Sequence, residues 1–152
     1  MSNGILVFLE HKGGVANKSS FEAIAAAQAL GAELQQKVSL VVLGADVSGL
    51  AQELAAYDVQ KVICATNAKL ADYTPDAYAD GFEQIVKQVD PNFVFLTHTY
   101  QVRDFGPKLA ARFKKGMISD CIRARVEGGK IGFTRRIFLG KLDADVNRKS
   151  VV

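Results

Sequence analysis

A chain of 152 residues, 49% apolar and 23% charged, carries enough nonpolar mass for one ordinary buried core. No apolar run approaches the roughly 18–20 residues that span a bilayer. Two distant cysteines, Cys64 and Cys121, supply neither a disulfide framework nor a metal-ligand spacing. The net charge of +3 is uneven: residues 1–100 carry 6 Lys and Arg against 11 Asp and Glu, whereas residues 101–152 carry 13 against 5.

The basic last third suits an acidic partner or a neighbouring domain. Its aromatic residues form no recognisable RNA-stacking motif, so nucleic acid is not expected. The start, MSNGILVFLE, has no basic n-region and no small-residue cleavage site. A cytoplasmic location with two reduced, buried thiols is the expectation.

Gly4–Leu9 reads as a first strand buried on both faces, and residues 10–18 as a loop. Ser19 or Ser20 can cap the next helix, with Glu22 completing a capping box three residues after Ser19. That helix runs through an Ala-rich face to about Leu30, and Gly31 is its stop. Lys37–Leu43 is a second strand. Ser48 caps a helix over 49–56, Lys61–Ala65 is a third strand, and residues 66–72 form a loop with a short helical turn. Pro75 to Val89 is helical, with Tyr78, Phe82, Ile85, Val86 and Val89 on one stripe.

Phe93–Leu96 is a fourth strand, and Asp104 caps a helix reaching Phe113 with Pro107 in its first turn. Alternating strands and helices predict an α/β fold: a three-layer parallel sheet with helices on both faces. Residues 117–120 are expected to enter a β region. Cys121–Val126 and Lys130–Phe138 flank Gly128-Gly129 as a C-terminal antiparallel hairpin, and Gly140–Val146 adds a strand. The domain is expected over residues 1–146, with 147–152 as a frayed tail.

Open parallel sheets bind ligands where strand carboxyl ends meet helix amino ends. Thr97, Thr99 and Arg103 are therefore the nucleotide-contact candidates, set against a structural reading in which Asp104 caps and Arg103 is solvated. The residues HKGGVANKSS after the first strand match neither G-x-G-x-x-G nor G-x-x-x-x-G-K-[ST], so Gly13 and Gly14 read as turn residues. His11 and His98, both following strands, lack a nearby ligand set or nucleophile, and no metal or catalytic role is assigned to them. Arg123, Arg125, Arg135 and Arg136 alternate with apolar residues in the hairpin and are the candidates for contact with another domain or subunit.

Four stretches together resemble the N-terminal domain of the electron transfer flavoprotein alpha subunit. They are ILVFLEHKGG, FEAIAAAQALG, the block HTYQVRDFGPKLAARF with Ile118-Ser119-Asp120, and FTRRIFLGK. The last resembles an F-x-R-x-I-[YF]-x-G run and places its arginine at Arg135 and its glycine at Gly140. The resemblance implies an adenine-nucleotide-hydrolase-like sheet. It also implies an electron carrier rather than an enzyme, working as a heterodimer with a beta subunit between flavin dehydrogenases and a membrane quinone oxidoreductase. FAD in that family is held mainly by a C-terminal domain. That domain's Arg-Ala-Gly-Ser-Phe-like, Gly-Gln-Thr-Gly and Gly-Ile-Ser-Gly-Ala-x-Gln-His runs do not occur here. The resemblance therefore transfers no FAD contact to this chain and implies that it is a piece of a longer subunit.

Overall fold

The computed structural model describes residues 3–147. Four parallel strands, β1 (Ile5–Phe8), β4 (Val38–Gly44), β5 (Lys61–Thr66) and β6 (Phe93–Phe95), lie in the order β5-β4-β1-β6. Alternate residues of β1 face opposite layers. Ile5 and Val7 pack with Ile24, Ala27 and Leu30 of α1 (Lys18–Leu34) and with Leu50 and Leu54 of α2 (Ser48–Leu54). Leu6 and Phe8 pack with Phe82 and Ile85 of α3 (Pro75–Val89) and with Phe105 and Leu109 of α4 (Tyr100–Phe113). The three-layer α/β expectation holds. Phe8 is the hub of the second layer, with ring centroids 5.2 Å from Phe105 and 5.5 Å from Phe82.

A second sheet of β7 (Cys121–Glu127), β8 (Lys130–Ile137) and β9 (Leu142–Asn147) is antiparallel throughout. Phe133 of β8 anchors it to the α1 layer, 6.2 Å from Phe93. Gly128 and Gly129 (φ 56° and 75°) make the β7–β8 turn, where both central positions are left-handed. Asn147 ends β9 rather than opening a frayed tail. Residues 148–152, the rest of that expected tail, lie outside the described residues.

Several local expectations are corrected. The first loop contains a two-rung hairpin, β2 (His11–Lys12) and β3 (Val15–Ala16), closed by Gly13-Gly14. Asn17, not Ser19 or Ser20, caps α1: its Oδ1 accepts the Ser19 N–H at 3.1 Å, and both serines lie in the first turn. The helix runs past Gly31 to Leu34, and Gln35 takes the left-handed stop at φ 54°. Gly31 serves packing instead, since a Cβ there would lie 2.6 Å from the Gln36 carbonyl. Before α2, the Asp46 carboxylate accepts from both the N–H and the hydroxyl of Ser48. Residues 117–120 form no strand. Cys64 and Cys121 are exposed, because each sits on an outermost strand of its sheet, β5 or β7.

Helix α4 starts four residues earlier than expected. Thr99 is its cap, with Oγ1 accepting the Val102 N–H at 3.2 Å, and Pro107 falls inside the helix. Asp104 accepts the Tyr73 hydroxyl at 2.9 Å instead of capping. Burial, and next that carboxylate, push the Tyr73 phenol well above its ordinary range.

Candidate functional site: the sheet-edge crevice and the basic antiparallel sheet

From β1 the chain crosses to β4 and then β5 on one side, and returns to β6 on the other. The switch point therefore lies at the carboxyl ends of β1 and β6. Glu10 follows β1 into that crevice. Its Oε2 accepts the Thr99 hydroxyl at 2.5 Å and its Oε1 accepts from Asn17 Nδ2 at 3.2 Å. Its backbone N–H donates to Ser20 Oγ at 3.0 Å, and its carbonyl accepts the Asn17 N–H at 2.8 Å. One carboxylate thus clasps the caps of α1 and α4. It occupies the position between two positive helix ends where an anion is favoured.

Of the expected nucleotide contacts, Thr97 and Arg103 line one cleft beside β6, and Thr99 does not. Thr99 is committed to Glu10 and to its own helix. Thr97 is 5% exposed, and its Oγ1 is buried without a hydrogen-bond partner among the described residues. Arg103 is exposed, with its guanidinium 6.0 Å from the ring centre of Tyr100. His11 is structural. Its Nδ1 accepts the Gly14 N–H at 3.2 Å, so its proton is on Nε2, which donates to the Leu43 carbonyl at 2.7 Å. His98 is exposed beside the crevice. A diphosphate needs open N–H donors and no competing anion. Asn17 already takes the Ser19 N–H, and Glu10 brings a negative charge, so this edge does not fit the pyrophosphate of FAD.

Beside β6 opens a cleft of about 510 Å³, lined by Phe95, Leu96, Thr97, Met117 and Arg123 among others. It separates the parallel sheet from the start of β7.

Register decides the fate of the four arginines. Gly132 lies opposite Arg125 and offers no side chain to block it. Arg125 therefore reaches Thr134 Oγ1 at 3.2 Å and Asp145 Oδ2 at 2.8 Å, with Glu127 at 3.1 Å from Nε. Thr134, 8% exposed, donates to Asp145 Oδ1 at 2.7 Å, so the network spans all three strands. The Arg125 guanidinium, followed by the Thr134 hydroxyl, holds the Asp145 carboxyl below its ordinary range. The carboxylate in turn holds Arg125 further toward its charged form. Arg135 donates to Ser119 Oγ at 3.1 Å, and its buried Nε lacks a partner among the described residues. Arg123 and Arg136 are exposed.

Nothing in the residue pattern singles out Glu10, although it lies within the ILVFLEHKGG stretch that carries the family resemblance. Among the described residues no group of three His, Cys, Asp or Glu side chains could hold a metal, and no helix is long and apolar enough to cross a membrane.

Residues 5–151 match the family described as the electron transfer flavoprotein domain. The chain is similar to the electron transfer flavoprotein subunit alpha of Bacillus subtilis, 38% identical over 141 residues, which is 93% of this chain and 43% of that protein. The subunit of the same name from Syntrophomonas wolfei is 35% identical over 143 residues, or 94% of this chain and 44% of that protein. The acryloyl-CoA reductase electron transfer subunit beta of Anaerotignum propionicum is 33% identical over 126 residues, or 83% of this chain and 34% of that protein. The chain thus spans less than half the length of these relatives.

Proposed function

This chain belongs to the electron transfer flavoprotein domain family, and on that premise we propose that it is the N-terminal scaffold domain of an alpha subunit. The subunit is one half of a heterodimeric, FAD-dependent electron carrier between flavin dehydrogenases and a quinone oxidoreductase. The observation that carries this reading is the family match over residues 5–151 together with relatives more than twice as long. FAD supplies the one- and two-electron chemistry when bound. In this reading it is held by the part of the full-length protein outside the matched region. Residues of this chain provide the platform: a rigid parallel sheet and a basic antiparallel sheet facing the beta subunit or the flavin-holding part. Arg123 and Arg136 make the outward contacts, while Arg125 is tied into its own sheet and Arg135 to Ser119 before it.

The crevice supports this division of labour, since Glu10 stands where a phosphate group would be needed. The test is the absorbance spectrum of the purified 152-residue chain after incubation with FAD and gel filtration. The expected result is no flavin band in the protein fraction. Stoichiometric retained flavin overturns the scaffold reading.

A further inference from the structure

The chain has four tyrosines, and one differs from the rest at its hydroxyl. Tyr73, half-buried just ahead of α3, places its Oη 2.9 Å from Asp104 Oδ2 and 3.1 Å from the Gln101 carbonyl, both on α4. Its single proton goes to the charged acceptor, which is also the nearer one. The described residues give the hydroxyls of Tyr57, Tyr78 and Tyr100 no hydrogen-bond partner. The Tyr73 ring also lies against Tyr78, with centroids 5.0 Å and planes 25° apart, and Tyr78 is buried in the α3–α4 layer. Phe105 stands 6.5 Å from Tyr73 and 6.2 Å from Tyr78.

A phenol releases an electron readily only when its proton leaves with it, because the phenol radical cation is a strong acid. A carboxylate held within hydrogen-bond reach is the base that such a transfer needs. Burial first, then Asp104, and more weakly Glu10 oppose loss of the proton alone. The same two negative charges favour the positive charge that a departing electron leaves on the ring. The stacked Tyr78 ring adds polarisable π-density beside it. Exposure runs the other way: Tyr100 is 90% exposed and Tyr57 40%, so oxidation ruled by access alone would fall on them. We propose that Tyr73 and Asp104 form a one-electron donor site, a redox function of the α3–α4 layer separate from any flavin. An outer-sphere oxidant, such as an oxygen-derived radical, takes one electron from the Tyr73 ring and is itself reduced by one electron. The Oη–H bond breaks and the proton passes to Asp104 Oδ2, leaving a neutral tyrosyl radical beside a neutral carboxylic acid. The site is complete within this chain and stands apart from the heterodimer reading above.

The experiment illuminates the purified 152-residue chain with tris(bipyridine)ruthenium(II) and a cobalt(III) pentaammine acceptor, which together generate ruthenium(III) as the outer-sphere oxidant. Samples are freeze-quenched for electron paramagnetic resonance, and circular dichroism melts check that each variant is folded. The expected result is a tyrosyl radical that Tyr73→Phe lowers by more than half and that Tyr57→Phe and Tyr100→Phe leave in place. Asp104→Asn still accepts the phenol hydrogen bond through its amide oxygen but takes up no proton. Its radical is diminished at Tyr73 and appears on the exposed tyrosines instead, a redistribution that a merely structural tie would not cause. A signal that survives Tyr73→Phe intact and falls in Tyr57→Phe or Tyr100→Phe shows that access decides, and overturns the site. A signal removed by Tyr78→Phe alone moves the electron loss to the neighbouring ring, with the same consequence. Unchanged radical yield in Asp104→Asn overturns the proton transfer and the proposal with it.

Discussion

Replacing Glu10 by Gln tests whether a buried-edge carboxylate clasps the two halves of the crevice. The substitution keeps size and one acceptor but removes the charge. The Thr99 hydroxyl then donates to a neutral oxygen, and the difference between charged and neutral acceptors is about 1 kcal/mol. The Asn17 amide, at 3.2 Å, loses a weaker share of the same kind. The carboxylate also faces the N-termini of α1 and α4, each worth about 0.5 kcal/mol to a half-buried anion. The expected loss is about 2 kcal/mol. For a chain of this size that lowers the thermal midpoint by roughly 4–8 °C. Circular dichroism melts and urea titrations of Glu10→Gln, Thr99→Val and the double variant close a thermodynamic cycle. Coupling of about 1 kcal/mol between the two sites is expected. A single-variant loss below about 0.5 kcal/mol with no coupling would refute the clasp and reopen the crevice to an anionic ligand.

Two further outcomes rest on geometry elsewhere. Gly31→Ala gains about 1 kcal/mol of helix propensity but drives a methyl group to 2.6 Å from the Gln36 carbonyl, so net destabilisation of about 1–2 kcal/mol is expected. Gly49→Ala meets nothing within 4 Å and should stabilise by about 0.5–1 kcal/mol, and urea midpoints that move in the same direction for both variants would contradict the packing argument. Asp145→Asn probes the three-strand network by pH. The Asp145 carboxyl is held low by Arg125 and Thr134, so its contribution is present above the unfolded value near 3.9 and lost as pH falls through the folded value. The gap in thermal midpoint between wild type and Asp145→Asn should be full at neutral pH and shrink as pH falls below the unfolded value near 3.9. A gap independent of pH would show that charge is not what Asp145 contributes.

The fold was legible because hydrophobic period carries it. Residues ILVF and FVF are continuous apolar runs, VSLVVL is broken only by the buried Ser39, and their burial demands covering helices. The α3 stripe from Tyr78 to Val86 follows the helical period, and its bounds agree with expectation. Caps were less legible. Ser19, Ser48 and Asp104 were each reasonable choices by residue type. Asn17 and Thr99 displaced Ser19 and Asp104 as caps, and Asp46 took the Ser48 N–H ahead of a helix that has no side-chain cap, because a short side chain two to five residues upstream already reached the free N–H groups. Composition cannot rank two adjacent capping residues; the path of the preceding loop does so. Glu10 was invisible for a related reason. Its partners, Asn17 and Thr99, lie 7 and 89 residues away and meet only once the sheet has formed.

The arginine cluster shows the same limit in its functional form. Strand alternation says which face a side chain takes but not what it meets there, because partners are set by register across strands. The sequence offers all four arginines as candidates for contact with another domain or subunit. The register puts side-chain-free Gly132 opposite Arg125 and brings Asp145 against Thr134, so Arg125 turns along its own sheet and its charge is answered there. Arg135 bends toward Ser119. What remains outward is Arg123 and Arg136, the latter two residues before the exposed Phe138. Which charges stay outward is therefore settled by pairing across three strands, which no single strand of the sequence displays.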